Sequence, residues 1–197
     1  MEILTCCLGC PGCADQVYSR KMVVVGDGAV GKSSLLLRFS SNEYRDDIYQ
    51  PTVMETDVIC LELDNKEVRL TVFDTSGQRE YDRLRPLAYN SNDVVIICFS
   101  LDNPGSLENV VRDWNPEIRH FCGKIPKILV GNKLDLRDGE EYILQNKDGC
   151  VTYQQGSDVA DKIGAVGYIE CSAKNNIGVK NVFYTAIRAS LKHRRRR

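Results

Sequence analysis

Three nearly continuous apolar runs restrict most strongly what this chain can fold into. They have the sequences KMVVVG from Lys21, DVVIICFS from Asp93 and KILVGN from Lys127. Parallel strands covered by helices on both faces show this pattern, whereas strands with one face in solvent alternate apolar and polar residues. Helical stretches lie between the runs, and this alternation predicts an α/β fold with a mostly parallel sheet.

The remaining segments complete a predicted six-stranded sheet flanked by helices. Residues 57–74 form two alternating stretches around a turn at Asp64–Asn65, and residues 165–172 provide a last strand. Helices are expected over residues 31–40, 106–121, 152–164 and 178–193. With 197 residues, 43% hydrophobic and 27% charged, the chain is expected to form one soluble domain.

A glycine-rich motif follows the first apolar run. GDGAVGKSS satisfies G-x-x-x-x-G-K-[ST] and lies between a strand and a helix, as a phosphate-binding loop requires. Lys32 is expected to reach the β- and γ-phosphates and Ser33 to bind Mg²⁺, while backbone N–H groups surround the phosphate oxygens. A chance match in a glycine-rich turn is the alternative, and the strand–helix context argues against it. The predicted phosphate-binding residues are Gly26, Asp27, Gly28, Ala29, Val30, Gly31, Lys32, Ser33 and Ser34.

Two later motifs predict that the bound base is guanine. GNKLD follows the fifth predicted strand, at the sheet edge where ligands bind. The Asp135 carboxylate can accept hydrogen bonds from guanine N1–H and the exocyclic amine, a pair that adenine does not offer. Asn132 can tie this loop to the phosphate loop, and the Ala173 amide in CSAK can bond guanine O6. The predicted base-recognition residues are Asn132, Lys133, Asp135, Ser172, Ala173 and Lys174.

The residues predicted to hydrolyse the nucleotide lie between these motifs. In FDTSGQ, Asp74 can hold Mg²⁺ through water, the Gly77 amide can contact the γ-phosphate, and Gln78 is expected to orient the attacking water. Thr52 in QPTV can contact both the metal and the γ-phosphate. This inventory suits catalysis by positioning and charge neutralisation. The predicted catalytic residues are Lys32, Thr52, Gly77 and Gln78, and the predicted metal ligands are Ser33, Thr52 and Asp74.

Longer stretches resemble the Rho/Rac family of small GTPases. GDGAVGKSSLLLRF, SLENVVRDWNPEIRHFC and KILVGNKLDLRD are similar to that family, and YDRLRPLAY at residues 81–89 is specific to it rather than to Ras or Rab relatives. The resemblance covers about residues 20–191 and implies a P-loop NTPase of the small-G-domain type, with Tyr44 at the guanine edge. The resemblance also implies an insert helix between Asp135 and Ser172, although this segment is slightly shorter than the one in Rho-type proteins.

The functional implications of this resemblance concern a molecular switch. A chain of this family alternates between GTP and GDP, requires Mg²⁺, and hydrolyses GTP slowly unless an activating protein supplies an arginine. Exchange factors, activating proteins and effectors are the implied partners of a monomeric chain, in signalling to the cytoskeleton or to cell polarity. Arg45 is interpreted as an exposed loop charge rather than a built-in arginine finger.

The first switch, YRDDIYQPTVMETD at residues 44–57, departs from the family pattern. By spacing from Lys32 it contains one residue more than Rho or Rac relatives, and the effector-contacting stretch after Thr52 has lost the family's aromatic, acid, Asn and Tyr. The residues in their place are Met54, Glu55, Thr56 and Asp57. Rho or Rac effectors are therefore not expected to transfer to this chain.

Changes also occur near the predicted catalytic residues. Ser76 replaces the usual alanine and Arg79 the usual acid, which affects the tuning of hydrolysis, whereas Gly28 and Gln78 are intact. A GTP-bound scaffold that hardly hydrolyses is therefore one alternative. A P-loop nucleotide kinase is another, although NKLD and the absence of a lid-like segment argue against it.

The two ends predict attachment to the cytosolic face of a membrane. The predicted domain boundaries are 1–19 for a cysteine-rich tail, 20–191 for the GTPase domain and 192–197 for a basic tail. No prenylation box follows HRRRR, so the anchor is expected from S-acylation of the first tail, because stable attachment generally takes two signals. The cysteines concerned are Cys6, Cys7, Cys10 and Cys13.

Other interpretations of these tails remain open. The N-terminal cysteines form an unmodified tail in one alternative and a metal site in another, although Val17 stands where a ferredoxin-type run needs its fourth cysteine. The arginines are a solvated tail in the simplest alternative. Nucleic-acid binding is not expected, because no aromatic platform or second basic patch accompanies them. Both tails are expected to leave the domain at the sheet edge opposite the nucleotide.

Overall fold

Six strands form a single sheet in a computed structural model, which describes residues 17–45, 52–138 and 149–193. The strand order is β2-β3-β1-β4-β5-β6, with β2 antiparallel to β3 and every other neighbouring pair parallel. This arrangement confirms the predicted α/β fold. The strands are β1 (Tyr18–Gly26), β2 (Met54–Leu63), β3 (Lys66–Thr75), β4 (Val94–Ser100), β5 (Lys127–Asn132) and β6 (Gly167–Glu170).

Helices cover both faces of the sheet. The predicted single helix over residues 106–121 is divided by a π-helical turn, Val110–Trp114. Pro116 follows this turn in the first positions of the next helix. Proline has no N–H to donate and crowds the carbonyl four residues earlier, which accounts for the interrupted α-helical register. The α-helices are α1 (Lys32–Ser41), α2 (Pro104–Asn109), α3 (Asn115–Cys122), α4 (Leu134–Arg137), α5 (Tyr153–Ile163) and α6 (Val179–Lys192).

The sheet separates two apolar layers. Strands β4 and β5 are buried along their whole lengths, as their apolar sequences predict. On one face α1 and α6 pack together, and the rings of Phe39 and Phe183 stack with centroids 3.9 Å apart. Trp114 and Ile118 belong to the layer on the opposite face. The helices therefore fix β1, β3 and β5, whose carboxyl ends carry the predicted site.

The turn between β2 and β3 marks the edge of the sheet opposite the predicted nucleotide site. Asp64 and Asn65 have φ angles of 53° and 58°, the left-handed conformation of a tight hairpin turn. Lys66 Nζ lies 5.6 Å from the ring centroid of Tyr18, and Arg188 donates two 2.8 Å hydrogen bonds to Asp64. The start of β1 and the end of α6 therefore lie at one edge.

Several predictions fall outside the described residues. They concern the N-terminal cysteines, part of the first switch, the insert and the terminal arginines; these are Cys6, Cys7, Cys10, Cys13 and residues 46–51, 139–148 and 194–197. Within the described parts, no helix combines the length and apolar composition needed to cross a membrane.

Candidate nucleotide site

The phosphate loop connects the end of β1 to the start of α1. Gly26 and Gly31 have φ angles of 140° and 90°, which side-chain-bearing residues rarely adopt. A Cβ atom on Gly26 would lie 2.1 Å from the Cys98 carbonyl oxygen, so only glycine fits against β4. The loop therefore turns sharply above the sheet and ends at the N-terminus of α1, a position that favours anions.

Lys32 is buried directly beneath this loop. Its residue is 7% exposed, and its ammonium group donates to the Gly26 and Asp27 carbonyl oxygens at 2.9 and 2.7 Å. Burial lowers the pKa of Lys32 from its ordinary value. An ammonium group has three N–H donors, so one donor remains for a phosphate oxygen.

The three predicted metal ligands are close together. Ser33 Oγ donates to Asp74 Oδ2 and lies 2.8 Å from Thr52 Oγ1. Asp74 is 1% exposed, and its other oxygen, Oδ1, is buried without a hydrogen-bond partner among the described residues. Burial raises the pKa of Asp74, against the hydrogen bond from Ser33 and the charge of Lys32. An unpartnered buried carboxylate oxygen beside two hydroxyls fits Mg²⁺, which prefers oxygen ligands.

A cavity of about 410 Å³ opens beside these residues. It extends towards β2, where Glu55 and Asp57 add negative charge that further raises the pKa of Asp74. The predicted site residues that line it are Ala29, Gly31, Lys32, Ser33, Ser34, Thr52, Asp74, Gly77 and Lys133. The other lining residues are Leu36, Leu37, Arg45, Glu55, Asp57, Thr75 and Ser76.

The other predicted site residues do not line this cavity. Arg45 does line the cavity, although its side chain is 70% exposed and pairs with Glu43 at 3.5 Å. Lys133 Nζ lies 3.8 Å from Asp102, and its alignment with a base stays a prediction. The predicted residues outside the lining are Gly26, Asp27, Gly28, Val30, Tyr44, Gln78, Asn132, Asp135, Ser172, Ala173 and Lys174.

The two loops predicted to recognise the base are joined to each other and to the phosphate loop. Asn132 Nδ2 donates to the Val30 carbonyl oxygen at 2.8 Å, the connection that the sequence predicts. Cys171 Sγ donates to Asn132 Oδ1 at 3.1 Å, and Ser172 Oγ donates to Asp135 Oδ1 at 2.5 Å. Residues more than 30 positions apart are thus fixed in one unit at the carboxyl ends of β5 and β6.

Arg38 on α1 connects this unit to the first switch. Its guanidinium donates to the Ala173 and Lys174 carbonyl oxygens at 2.7 and 3.2 Å. The same group lies 5.6 Å from the ring centroid of Tyr44, the residue predicted to reach the guanine edge. Arg38 also donates to the nearby Asn42 carbonyl oxygen at 2.7 Å. Its bonds to Ala173 and Lys174 could not be predicted from the sequence, because those acceptors are backbone carbonyls over 130 residues away in the chain.

Arg85 supports the loop around Gln78 that follows β3, which is the second switch of this fold. It is 4% exposed and donates to the Ser76 and Gln78 carbonyl oxygens at 2.9 and 3.2 Å. Glu117 on α3 accepts two further bonds from it, at 3.1 and 3.0 Å. The Ser76 hydroxyl accepts a 3.2 Å bond from the Gln78 N–H. The serine that replaces the usual alanine therefore adds a backbone restraint beside Gln78.

The second switch also contacts the phosphate loop. A Cβ atom on Gly77 would lie 2.2–2.4 Å from backbone atoms of that loop, so Gly77 packs directly against it. Trp114, at the end of the π-helical turn, donates to Asp27 Oδ1 at 2.7 Å, and the Arg85 guanidinium lies 4.6 Å from its ring centroid. The phosphate loop, α3 and the second switch therefore form one packed network.

This geometry accompanies a match to a known family. The model of the Ras family matches residues 21–192, most of the chain. The chain belongs to the Ras family. Its sheet and flanking helices are those of the small G domain, and membership in this family indicates binding of GTP and GDP and, in general, GTP hydrolysis. Small GTPases generally use Mg²⁺ and act with regulators and effectors.

Proposed function

We propose that this Ras-family protein is a Rho-type GTPase that switches between GTP and GDP at a membrane surface. The observation that carries the hydrolytic part is the unpartnered Asp74 oxygen beside Ser33 and Thr52, next to the buried Lys32. These groups are matched to a triphosphate and a divalent cation, and they lie at the carboxyl edge of the sheet.

The chain's own residues supply positioning and charge. Lys32 places its remaining donor against the β- and γ-phosphates, and the Gly77 amide contacts the γ-phosphate. Gln78 orients the attacking water, with its backbone held by Arg85 and Ser76. Ser33, Thr52 and Asp74 would hold Mg²⁺, which when bound neutralises charge on the phosphates.

Support for a Rho-type switch comes from residues 81–89. Arg85 within this stretch connects the second switch to Glu117, and Tyr89 donates a hydrogen bond to the same carboxylate. Glu55 and Asp57 are exposed on β2 and differ from the family pattern. The proposed effectors are therefore not those of Rho or Rac relatives.

Support for membrane attachment comes from the positions of the first and last elements of the described domain. Tyr18 and Lys192 bound the described domain at the edge opposite the cavity, since both β1 and α6 approach the Asp64 turn there. S-acylated cysteines and a basic tail would leave from this edge and provide two membrane signals. The switches would remain accessible on the other side.

Single-turnover GTP hydrolysis tests the catalytic proposal. Wild-type protein should hydrolyse bound GTP faster than Gln78→Leu, and both should bind GDP with equal affinity and far more tightly than ADP. A wild-type rate no faster than that of Gln78→Leu, with normal GDP binding, would replace the enzyme by a GTP-bound scaffold. Tight ADP binding with phosphate transfer to a second substrate would indicate a nucleotide kinase.

Acylation in eukaryotic cells tests the membrane proposal. Full-length protein should carry hydroxylamine-sensitive thioesters and sediment with membranes. A variant with serine at Cys6, Cys7, Cys10 and Cys13 should lose both properties. Equal solubility of the two proteins without thioesters would refute N-terminal anchoring.

A further inference from the structure

A second cavity lies at the edge of the sheet opposite the nucleotide site. Its volume is about 320 Å³, and it lies between the C-terminal ends of α3 and α5 and His193, the residue after α6. Lys127 at its base begins β5, and Asn132 of the nucleotide site ends that strand. At 3.3 Å per residue, the two sites are separated by about 16 Å.

Lys127 is the buried centre of this cavity. It is 8% exposed, and its ammonium donates to Asn115 Oδ1 at 2.8 Å and to the Ile163 carbonyl oxygen at 2.7 Å. Burial lowers the pKa of Lys127, and the nearby charge of Arg119 lowers it further. Both hydrogen-bond partners are uncharged, and one N–H donor remains.

The other charges around the cavity are also positive. Arg119 and Lys124 line it with exposed side chains. Among the described residues, neither these two nor Lys127 has a carboxylate within 4.0 Å. The C-terminal ends of α3 and α5 contribute about half a negative charge each, so three cations leave a net charge of about +2.

The mouth of the cavity is open. Gly123 and Gly164 both have φ angles of 68°, and a Cβ atom on either would meet nothing within 4 Å. Gly164 ends α5 in the left-handed conformation and Gly123 ends α3 with a positive φ and an extended ψ, so the chain turns away and leaves space above the three cations. The space lies within the range of small-ligand pockets, which begins at about 300 Å³.

We infer that this cavity binds a phosphate monoester. Such a group carries about −1.5 to −2 charge at neutral pH and three strong acceptor oxygens, which balances both the net charge and the free donors of Arg119, Lys124 and Lys127. The ester can be the headgroup of a lipid or a soluble phosphorylated molecule. The inference goes beyond the proposed GTPase switch, because it uses none of the nucleotide-site residues.

The test uses full-length, GDP-loaded, unacylated protein in which alanine replaces Arg194, Arg195, Arg196 and Arg197, so that tail charge does not contribute. One arm measures co-sedimentation with phosphatidylcholine vesicles containing phosphatidylinositol 4-phosphate, or phosphatidylserine at equal total charge. A second arm measures calorimetric binding of glycerol 3-phosphate. The rim variant is Arg119→Ala with Lys124→Ala, and Arg83→Ala with Lys180→Ala is a charge-matched control outside the cavity.

The monoester lipid should bind more tightly than phosphatidylserine. The rim variant should lose at least about tenfold in affinity, because charge-assisted hydrogen bonds are removed, and the control should lose little. Binding of glycerol 3-phosphate with the same rim dependence, without preferential vesicle binding, assigns the site to a soluble ester. Failure of both probes, equal losses in rim and control variants, or equal binding of phosphatidylserine overturns the inference. GDP affinity of the same samples verifies folding and tests the nucleotide site separately.

Discussion

Two buried lysines lie at opposite edges of the sheet and differ in the charges that surround them. Lys32 is 7% exposed and Lys127 is 8% exposed, and each ammonium donates two hydrogen bonds to uncharged oxygens. Burial lowers the pKa of both. Yet the charges of Asp74 and Asp27 oppose the shift at Lys32, whereas the charge of Arg119 adds to the shift at Lys127. The two lysines are therefore similarly buried, but nearby carboxylates surround Lys32 and a nearby arginine lies beside Lys127.

The two lysines also differ in how the chain builds their surroundings. Lys32 donates both hydrogen bonds to carbonyls five and six residues earlier, within one loop. Lys127 donates its bonds to the first residue of α3 and to the last residue of α5, 12 and 36 positions away. A local arrangement can be recognised as a motif, whereas an arrangement from separate elements exists only in the folded protein.

Replacing each lysine by methionine should give the largest difference in GDP affinity between the two sites. Lys32→Met should weaken GDP binding about 10²-fold, since it removes the one charge-assisted bond that the ammonium can still make to phosphate, which stabilises by about 2.7 kcal/mol. Lys127→Met should change GDP affinity less than about twofold, because it lies about 16 Å away. Competition against a fluorescent GDP analogue measures both. Equal losses would mean that the two edges are coupled.

Arg85 provides an expected effect of similar size, on stability. Arg85→Ala should lower the free energy of unfolding by about 3 kcal/mol, because Glu117 loses a buried partner. Urea denaturation of the GDP-bound protein measures this loss.

The rate of GTP hydrolysis distinguishes a positioning role of Arg85 from a role in stability alone. Arg85→Lys keeps the charge and loses the bonds to the Ser76 and Gln78 carbonyls, so single-turnover hydrolysis should fall about tenfold while GDP affinity stays unchanged. An unchanged rate in a folded Arg85→Lys protein would refute a positioning role for Arg85.

Substitution of Arg38 tests how the loops predicted to recognise the base are held in place. Arg38→Ala removes two bonds to the base loop and the contact with Tyr44, so GDP should dissociate about tenfold faster, corresponding to about 1.4 kcal/mol. Preference for GDP over inosine diphosphate, which lacks the exocyclic amine, should also fall as Asp135 loses its fixed position. Arg45→Ala, at the exposed arginine nearby, is the matched control. Parallel acceleration in both variants would indicate a general charge effect.

Features that depend on local contacts could be predicted from the sequence, whereas features that depend on distant contacts could not. The strands and the turn at Asp64–Asn65 followed from local patterns, and so did the phosphate loop with Lys32. The predicted helix around Trp114 missed its π-helical turn, although Pro116 was a visible signal. The roles of individual site residues stay predictions.

Arg38 and Arg85 show why the rest of the site could not be predicted. Each donates to backbone carbonyls, which every residue has, so no residue type in the sequence indicates the bonds to Ala173 and Ser76. The basic cavity is a further example. Arg119, Lys124 and Lys127 are spread over nine positions that span a helix end, a loop and a strand start, and only the fold directs them to one space.

The smallest expected effect concerns the pH dependence of stability at the opposite edge. A lysine whose folded pKa is lowered binds fewer protons in the folded than in the unfolded state between those two pKa values. Stability gained from Lys127 therefore rises with pH through that window, up to the unfolded value of about 10.4. Lys127→Met should make the free energy of unfolding increase less steeply with pH in this alkaline range. Urea denaturation of GDP-bound proteins at several alkaline pH values measures the slopes. Identical slopes in wild type and Lys127→Met would mean that Lys127 retains its ordinary pKa, and that the cavity is better hydrated than its burial indicates.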